Sequence, residues 1–132
     1  MKLIPTGIEN FKELIDKDYY YVDKTNLIVN IINEKVFLYT RPRRFGKTLN
    51  MSMLYYFFSI KEKKNSYLFN HLNISKNIDA LKHQNKYPTI FISLKDMKVP
   101  SMENQLLNFS SIIARLLDQF EDILDYDIFN DR

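Results

Sequence analysis

Apolar residues recur at helical spacing near the start of the chain. Over residues 8–16 four apolar side chains lie three or four positions apart, which predicts an amphipathic helix: Ile8, Phe11, Leu14 and Ile15. A second apolar face over residues 26–33 predicts another helix, which either Asp23 or Thr25 would cap. Between the two helices, residues 19–22 form a short run of β type.

Two continuous apolar runs predict strands that are covered on both faces. Residues 36–40 and residues 90–94 are short apolar stretches bounded by polar residues or proline. Such runs are typical of parallel sheets. Between them, residues 47–59 are apolar nearly all round, which predicts a buried helix. Residues 61–65 are polar and predict a break after that helix.

The last part of the sequence predicts one long amphipathic helix that Ser101 would cap. Its apolar stripe recurs at periods of three and four: Leu106, Phe109, Ile113, Leu116, Leu117, Phe120 and Leu124. The predicted order is strand, loop, helix, strand, helix. This alternation implies an α/β fold with a parallel sheet and right-handed crossovers.

Composition narrows the class of protein. With 132 residues, 45% of them hydrophobic and 27% charged, the chain is long enough for one packed domain. It has no run of 18 uninterrupted apolar residues, no signal-peptide pattern and no cysteine. We therefore expect a cytoplasmic protein without a membrane segment. The net charge of +3 permits contact with phosphates or nucleic acid but does not require it.

The candidate chemistry lies in residues 41–48, Arg-Pro-Arg-Arg-Phe-Gly-Lys-Thr. They match the phosphate-binding loop pattern G-x-x-x-x-G-K-[ST], except that Arg41 replaces the first glycine. Gly46 would let backbone N–H groups approach a phosphate. Lys47 would reach the β- and γ-phosphates, and Thr48 would place its hydroxyl on Mg²⁺. The pattern predicts binding of ATP or a related nucleotide together with Mg²⁺.

Around this motif the predicted cofactor-binding residues are Arg41, Arg43, Arg44, Phe45, Gly46, Lys47, Thr48 and Leu49, with Thr48 as the metal ligand. Arg43 and Arg44 would add positive charge at the phosphates or at a developing transition state. Packing at the protein surface is the alternative interpretation for both arginines.

The chain resembles the AAA-ATPase-like domain family of bacterial proteins, whose members often join this domain to a C-terminal PD-(D/E)XK nuclease-like domain. Four blocks carry the resemblance: residues 4–8 with Phe11, residues 19–25 (YYYVDKT), residues 40–50 (TRPRRFGKTLN), and Tyr87-Pro88 leading into residues 91–96 (FISLKD). Arginine at the first glycine position is a family trait. The second block contains Val22-Asp23-Lys24-Thr25, for which we favour a helix cap with a surface ion pair.

The resemblance implies a P-loop NTPase-type three-layer parallel sheet that is incomplete. Residues 1–132 would be the N-terminal portion of one domain, with a helical lead-in over 1–34 and a strand–P-loop–helix–strand–helix unit over 35–132. A P-loop ATPase also needs an acidic residue at the end of another strand. Asp96 lies two residues beyond the end of the second predicted strand and next to Lys95. We therefore do not expect it to be this acidic residue.

In the family the acidic strand follows the long helix, so this chain would end before it. We expect the acidic residues near the end to be solvated: Glu121, Asp122, Asp125, Asp127 and Asp131. No catalytic residue is therefore predicted, and hydrolysis is left open. Expected partners are the nucleotide and either the missing continuation of the domain or an oligomer partner, with no membrane.

Two alternatives remain open. In the first, the chain is a truncated remnant that binds nothing. In the second, it is a nucleic-acid-binding module whose basic loop contacts backbone phosphates through Arg41, Arg43, Arg44 and Lys47.

Overall fold

The computed structural model describes residues 2–42, 45–93 and 101–124, the last three of these without their side chains. By their internal contacts the residues fall into two compact units, Met1–Thr89 and Ile90–Arg132. Each unit is described by itself. Arg43, Arg44, residues 94–100 and residues 125–132 lie outside the description.

Short helices make up the regular secondary structure described in the first unit. The α-helices are α1 (Phe11–Asp16), α2 (Asn26–Ile32), α3 (Lys47–Phe58) and α4 (Ile78–Leu81), and 3₁₀ structure covers Ile60–Phe69 and Asn73–Lys76. Asparagine side chains cap two of the α-helices. Asn10 accepts from the N–H of Glu13, and Asn77 accepts from the N–H of Ala80, both at 3.0 Å. The helices predicted over residues 8–16, 26–33 and 47–59 are confirmed with shorter bounds.

An aromatic cluster forms the core of this unit. Phe11, Phe57 and Phe69 are buried. The Phe69 ring centroid lies 5.2 Å from that of Phe11 and 5.1 Å from that of Phe57, which is the range in which aromatic rings attract one another. Met53 of α3 and Ile28 of α2 belong to the same cluster. The core therefore fixes α3, the helix that follows the candidate loop, against α1 and the 3₁₀ segment.

Asn85 closes the C-terminal end of α3. Its backbone has a φ of 53°, a conformation that asparagine tolerates better than most residues. Its N–H donates to the carbonyl of Phe57 at 2.7 Å, and its side-chain amide donates to the carbonyls of Tyr56 and Ser59 at 3.0 and 2.8 Å. The chain then forms one isolated parallel bridge between Ser59 and Tyr87.

The predicted parallel sheet is absent from the described residues, so the α/β, P-loop NTPase-type three-layer prediction is wrong for them. Strands were predicted over residues 19–22, 36–40 and 90–94. Residues 19–22, 36–40 and 90–93 form no strand, and residue 94 lies outside the described residues. Val36 and Leu38 are 88% and 84% exposed. The reason is that a strand is stabilised by pairing with other strands, which an apolar run cannot supply by itself.

The predicted polar break at residues 61–65 does follow the end of α3 at Phe58, but it has 3₁₀ structure. These residues belong to the 3₁₀ segment Ile60–Phe69, which is kinked at Glu62. Asn65 is buried there, and its amide donates to the Glu62 carboxylate. The one buried polar residue of this segment is therefore hydrogen-bonded, as buried polar groups usually are.

The second unit contains one long helix, α5 (Met102–Leu124). The predicted cap is confirmed, since Ser101 Oγ accepts from the N–H of Asn104 at 3.2 Å. Phe120 is buried, whereas Leu106 and Leu117 of the predicted apolar stripe are exposed. Among the described helices we find none with the length and apolar character that a membrane crossing requires.

Candidate functional site

The start of α3 carries the candidate site. Gly46 occupies the N-cap position with a left-handed backbone, φ 73° and ψ 23°, which glycine adopts without steric cost. The first helical bond runs from the N–H of Asn50 to the carbonyl of Gly46 at 2.9 Å. The N–H groups of Lys47, Thr48 and Leu49 precede that bond, and within the described residues no side chain caps them. This positive end of the helix dipole favours anions.

A cavity of about 650 Å³ lies at this helix start. Its volume falls within the range of roughly 300–1,000 Å³ that is typical of ligand sites. Lys47 is exposed beside the cavity, and Thr48 is half-buried. The complete lining is Pro5, Thr6, Gly7, Ile8, Glu9, Gly46, Lys47, Thr48 and Leu49. Residues that carry an ammonium group, a hydroxyl and backbone N–H donors therefore line one space.

The second wall of this cavity comes from the N-terminal block, which sequence reasoning did not assign to the site. The chain contains two glycines. Both Gly7 and Gly46 have positive φ, 75° and 73°, and both line the cavity. Their scarcity was a usable signal, because a lone glycine often marks a backbone that must turn sharply. Glu9 also lines the cavity, and its carboxylate would repel a phosphate unless a cation lay between them.

A second cavity, of about 320 Å³, adjoins the first and shares Pro5, Gly46 and Leu49 with it. Its remaining lining is Leu14, Tyr20, Tyr21, Val22, Lys24, Phe45 and Asn50. Phe45 of the predicted loop is 63% exposed. The structure thus places Phe45, Gly46 and Leu49 together with residues of the YYYVDKT block.

Arg41 contacts the segment that precedes the loop. Its guanidinium lies over the Tyr39 ring, 4.9 Å from the centroid, and its Nη1 donates to the carbonyl of Thr40 at 2.9 Å. The Tyr39 hydroxyl accepts from the buried amide of Asn50 at 3.0 Å. These contacts tie Arg41 to α3 through Tyr39. The predicted site residues Arg43 and Arg44 lie outside the described residues.

The Val22-Asp23-Lys24-Thr25 block forms a structural clamp. Asp23 accepts from the N–H and the hydroxyl of Thr25 at 2.9 and 2.6 Å, and from the N–H of Asn73 at 2.6 Å. The buried Thr25 hydroxyl accepts from the N–H of Ile74 at 3.2 Å. Thr25 is the N-cap residue of α2 but makes no side-chain cap bond. The clamp thus replaces the simple helix cap that the sequence suggested.

Hydrogen bonding controls the ionisation of the Asp23 carboxyl. Burial opposes its charged form. The hydrogen bonds from Thr25 and Asn73 and the positive charge of Lys76 outweigh burial and hold the pKa of Asp23 below its usual value. The carboxylate form is therefore the one that fits the clamp.

Within the described residues we find no group of three or more His, Cys, Asp or Glu side chains that could hold a metal ion. Glu121 is exposed on α5, consistent with the expected solvated face. The side chain of Asp122 and all of Asp96, Asp125, Asp127 and Asp131 lie outside the description.

Comparison with known proteins identifies the family. The model of the family described as Predicted AAA-ATPase matches residues 5–128. A relative from Azotobacter chroococcum mcd 1, named "Uncharacterized protein in vnfD 5'region", is 42% identical over 55 residues, which are 40% of this chain and 11% of that protein. The chain therefore spans about a tenth of the length of this relative. No solved structure matches the chain. Because the family model covers nearly the whole sequence, the chain belongs to the predicted AAA-ATPase family.

Proposed function

We propose that this chain binds ATP or a related nucleoside triphosphate with its phosphates at the start of α3. One observation carries the proposal: the uncapped first turn of α3 opens on a cavity that Lys47 and Thr48 also line. Membership of the predicted AAA-ATPase family supports a nucleotide as the anion. The proposal covers binding, and no described residue is assigned to hydrolysis.

Each group at the helix start has a separate role. The N–H groups of Lys47, Thr48 and Leu49 donate to phosphate oxygens, and the helix dipole adds to their attraction. The Lys47 ammonium neutralises phosphate charge, and the Thr48 hydroxyl is a ligand for Mg²⁺. A cation held there would offset the negative charges of Glu9 and the phosphates, so Mg²⁺ should strengthen binding.

Substitution of Lys47 tests the proposal. Lys47→Ala should weaken Mg-ATP binding by about 10- to 100-fold, since a charge-assisted hydrogen bond contributes about 1.5–3 kcal/mol. Alanine is a good helix former, so the thermal unfolding midpoint should stay close to that of the parent. Isothermal titration calorimetry on the 132-residue chain gives the affinity.

The matched control is Lys63→Ala, because Lys63 is an exposed lysine of the 3₁₀ segment outside both cavity linings. It should bind Mg-ATP like the parent. Equal affinity of the parent and Lys47→Ala would refute the assignment. A parent that neither binds Mg-ATP nor gains thermal stability from it would support the remnant alternative.

A further inference from the structure

We propose that the second cavity holds the base of the nucleotide whose phosphates lie at α3. This inference rests on the proposed function and adds the part of the ligand that the phosphate-binding loop does not explain. It assigns a ligand-binding role to Tyr20 and Val22 of the YYYVDKT block, to which the sequence assigned no contact with a ligand. Their partner in the cavity is Phe45.

The two cavities are adjacent. Pro5, Gly46 and Leu49 line both of them. Leu49 lies in the first turn of α3, and Gly46 is its N-cap residue. A molecule with phosphates against the first N–H groups therefore needs to extend only past these shared residues to reach the second cavity. A nucleotide, which carries a flat apolar ring at one end and phosphates at the other, fits this arrangement.

The lining of the second cavity suits an aromatic ring. Tyr20, Val22 and Phe45 face it while being 57%, 58% and 63% exposed. Exposed apolar side chains grouped around a concave surface often mark a ligand site. Aromatic side chains stack on any nucleobase because every base has a π-face. The volume of about 320 Å³ lies at the lower end of the range of ligand cavities, about 300 Å³.

The two neighbouring tyrosines have different roles. Tyr21 is part of the core: its hydroxyl accepts from the N–H of Lys24 at 3.2 Å and lies 3.4 Å from the sulfur of Met53, and its ring packs edge-on against Phe11. Tyr20 is held through its backbone, since its N–H donates to the carbonyl of Leu3 at 2.8 Å. Removing the Tyr20 side chain therefore leaves this backbone bond intact.

The test separates the base from the phosphates. Mg-ATP and magnesium tripolyphosphate are titrated by calorimetry into the parent chain, Tyr20→Ala and Tyr20→Phe. Tyr20→Ala should weaken ATP binding by about tenfold, a typical effect of removing one stacking side chain. The same variant should bind tripolyphosphate with parental affinity. Tyr20→Phe keeps the ring and should bind ATP like the parent.

Two further variants keep the result interpretable. Val22→Ser changes the same cavity and should also weaken ATP selectively, and it replaces Tyr20→Ala if that variant fails to fold. Phe37→Ala removes an aromatic side chain that is 42% exposed and outside the lining of both cavities, and it should change neither affinity.

Equal ATP affinity of the parent, Tyr20→Ala and Val22→Ser would overturn the base site while leaving the phosphate site in place. An equal loss of ATP and tripolyphosphate binding in Tyr20→Ala would overturn it as well. If the parent binds neither ligand, the phosphate site fails and this inference fails with it.

Discussion

Gly46 sets the direction in which the chain enters α3. Its φ is 73°, and among the described residues no heavy atom beyond its two chain neighbours lies within 4 Å of the position that a Cβ would occupy. The cost of a side chain at this position is therefore conformational, and the space around it is open to a ligand. The loop pattern assigned Gly46 to the close approach of backbone N–H groups to a phosphate, and its positive φ adds a conformational reason for glycine at this position.

Two substitutions of Gly46 distinguish backbone strain from size. Gly46→Val should lower the free energy of unfolding by about 1–2 kcal/mol, because a β-branched residue is disfavoured in the left-handed region. Gly46→Asn should cost less, since asparagine tolerates that region. Urea unfolding measures both. A valine variant as stable as the parent would show that the positive φ is not required.

The clamp shows how elements far apart in sequence are joined. Asp23 and Thr25 precede α2, and their partners Asn73 and Ile74 follow about fifty residues later. Helix spacing predicted α1, α2 and α3 because helical bonds are local. The role of Asp23 was not predictable, since no local pattern specifies a partner at that separation.

Acid should weaken the clamp. The pKa of Asp23 is lowered in the folded chain, so its stabilisation is present above the unfolded pKa of about 3.9 and is lost as pH falls through the folded value. Asp23→Asn should therefore lower stability at pH 7, by about 1–2 kcal/mol because the side chain is partly screened by solvent. The difference from the parent should shrink below about pH 4. Urea unfolding across this pH range measures it.

Asp79→Asn is the matched control. Asp79 is an exposed carboxylate paired with Lys82 at 2.7 Å, and surface pairs contribute only about 0–1 kcal/mol. Its effect at pH 7 should be smaller than that of Asp23→Asn. A stability difference between Asp23→Asn and the parent that stayed constant down to pH 2 would argue against the carboxylate as the active form.

At the scale of the whole molecule, the local loop pattern located residues that line one cavity, whereas the apolar runs did not predict the fold. Residues 46–49 lie together because they are consecutive, so the loop pattern identified one wall of the cavity. The opposite wall, from Pro5 to Glu9, comes from a distant part of the chain, which only tertiary packing brings there. The strand predicted over residues 36–40 is wrong for the same reason, because apolar character alone does not specify which strand would pair with it.

Introducing charged side chains into the exposed apolar residues 36–40 tests whether this segment lacks the predicted strand. The double substitution Val36→Lys and Leu38→Lys should change the free energy of unfolding by no more than about 0.5 kcal/mol, as expected for exposed positions. It should also reduce self-association, because apolar surface promotes it. Urea unfolding and sedimentation measure the two effects. A loss of several kcal/mol would mean that these side chains are buried, as in the strand first predicted.

The central claim is that phosphates bind at the start of α3, and amide NMR of the ¹⁵N-labelled chain tests it most directly. Titration with Mg-ATP should shift the N–H signals of residues 46–49 most strongly, because these groups donate to the phosphates. Smaller shifts should follow at Thr6 and Gly7 across the cavity. Unchanged signals at residues 46–49, with shifts concentrated elsewhere or with none at all, would contradict the account.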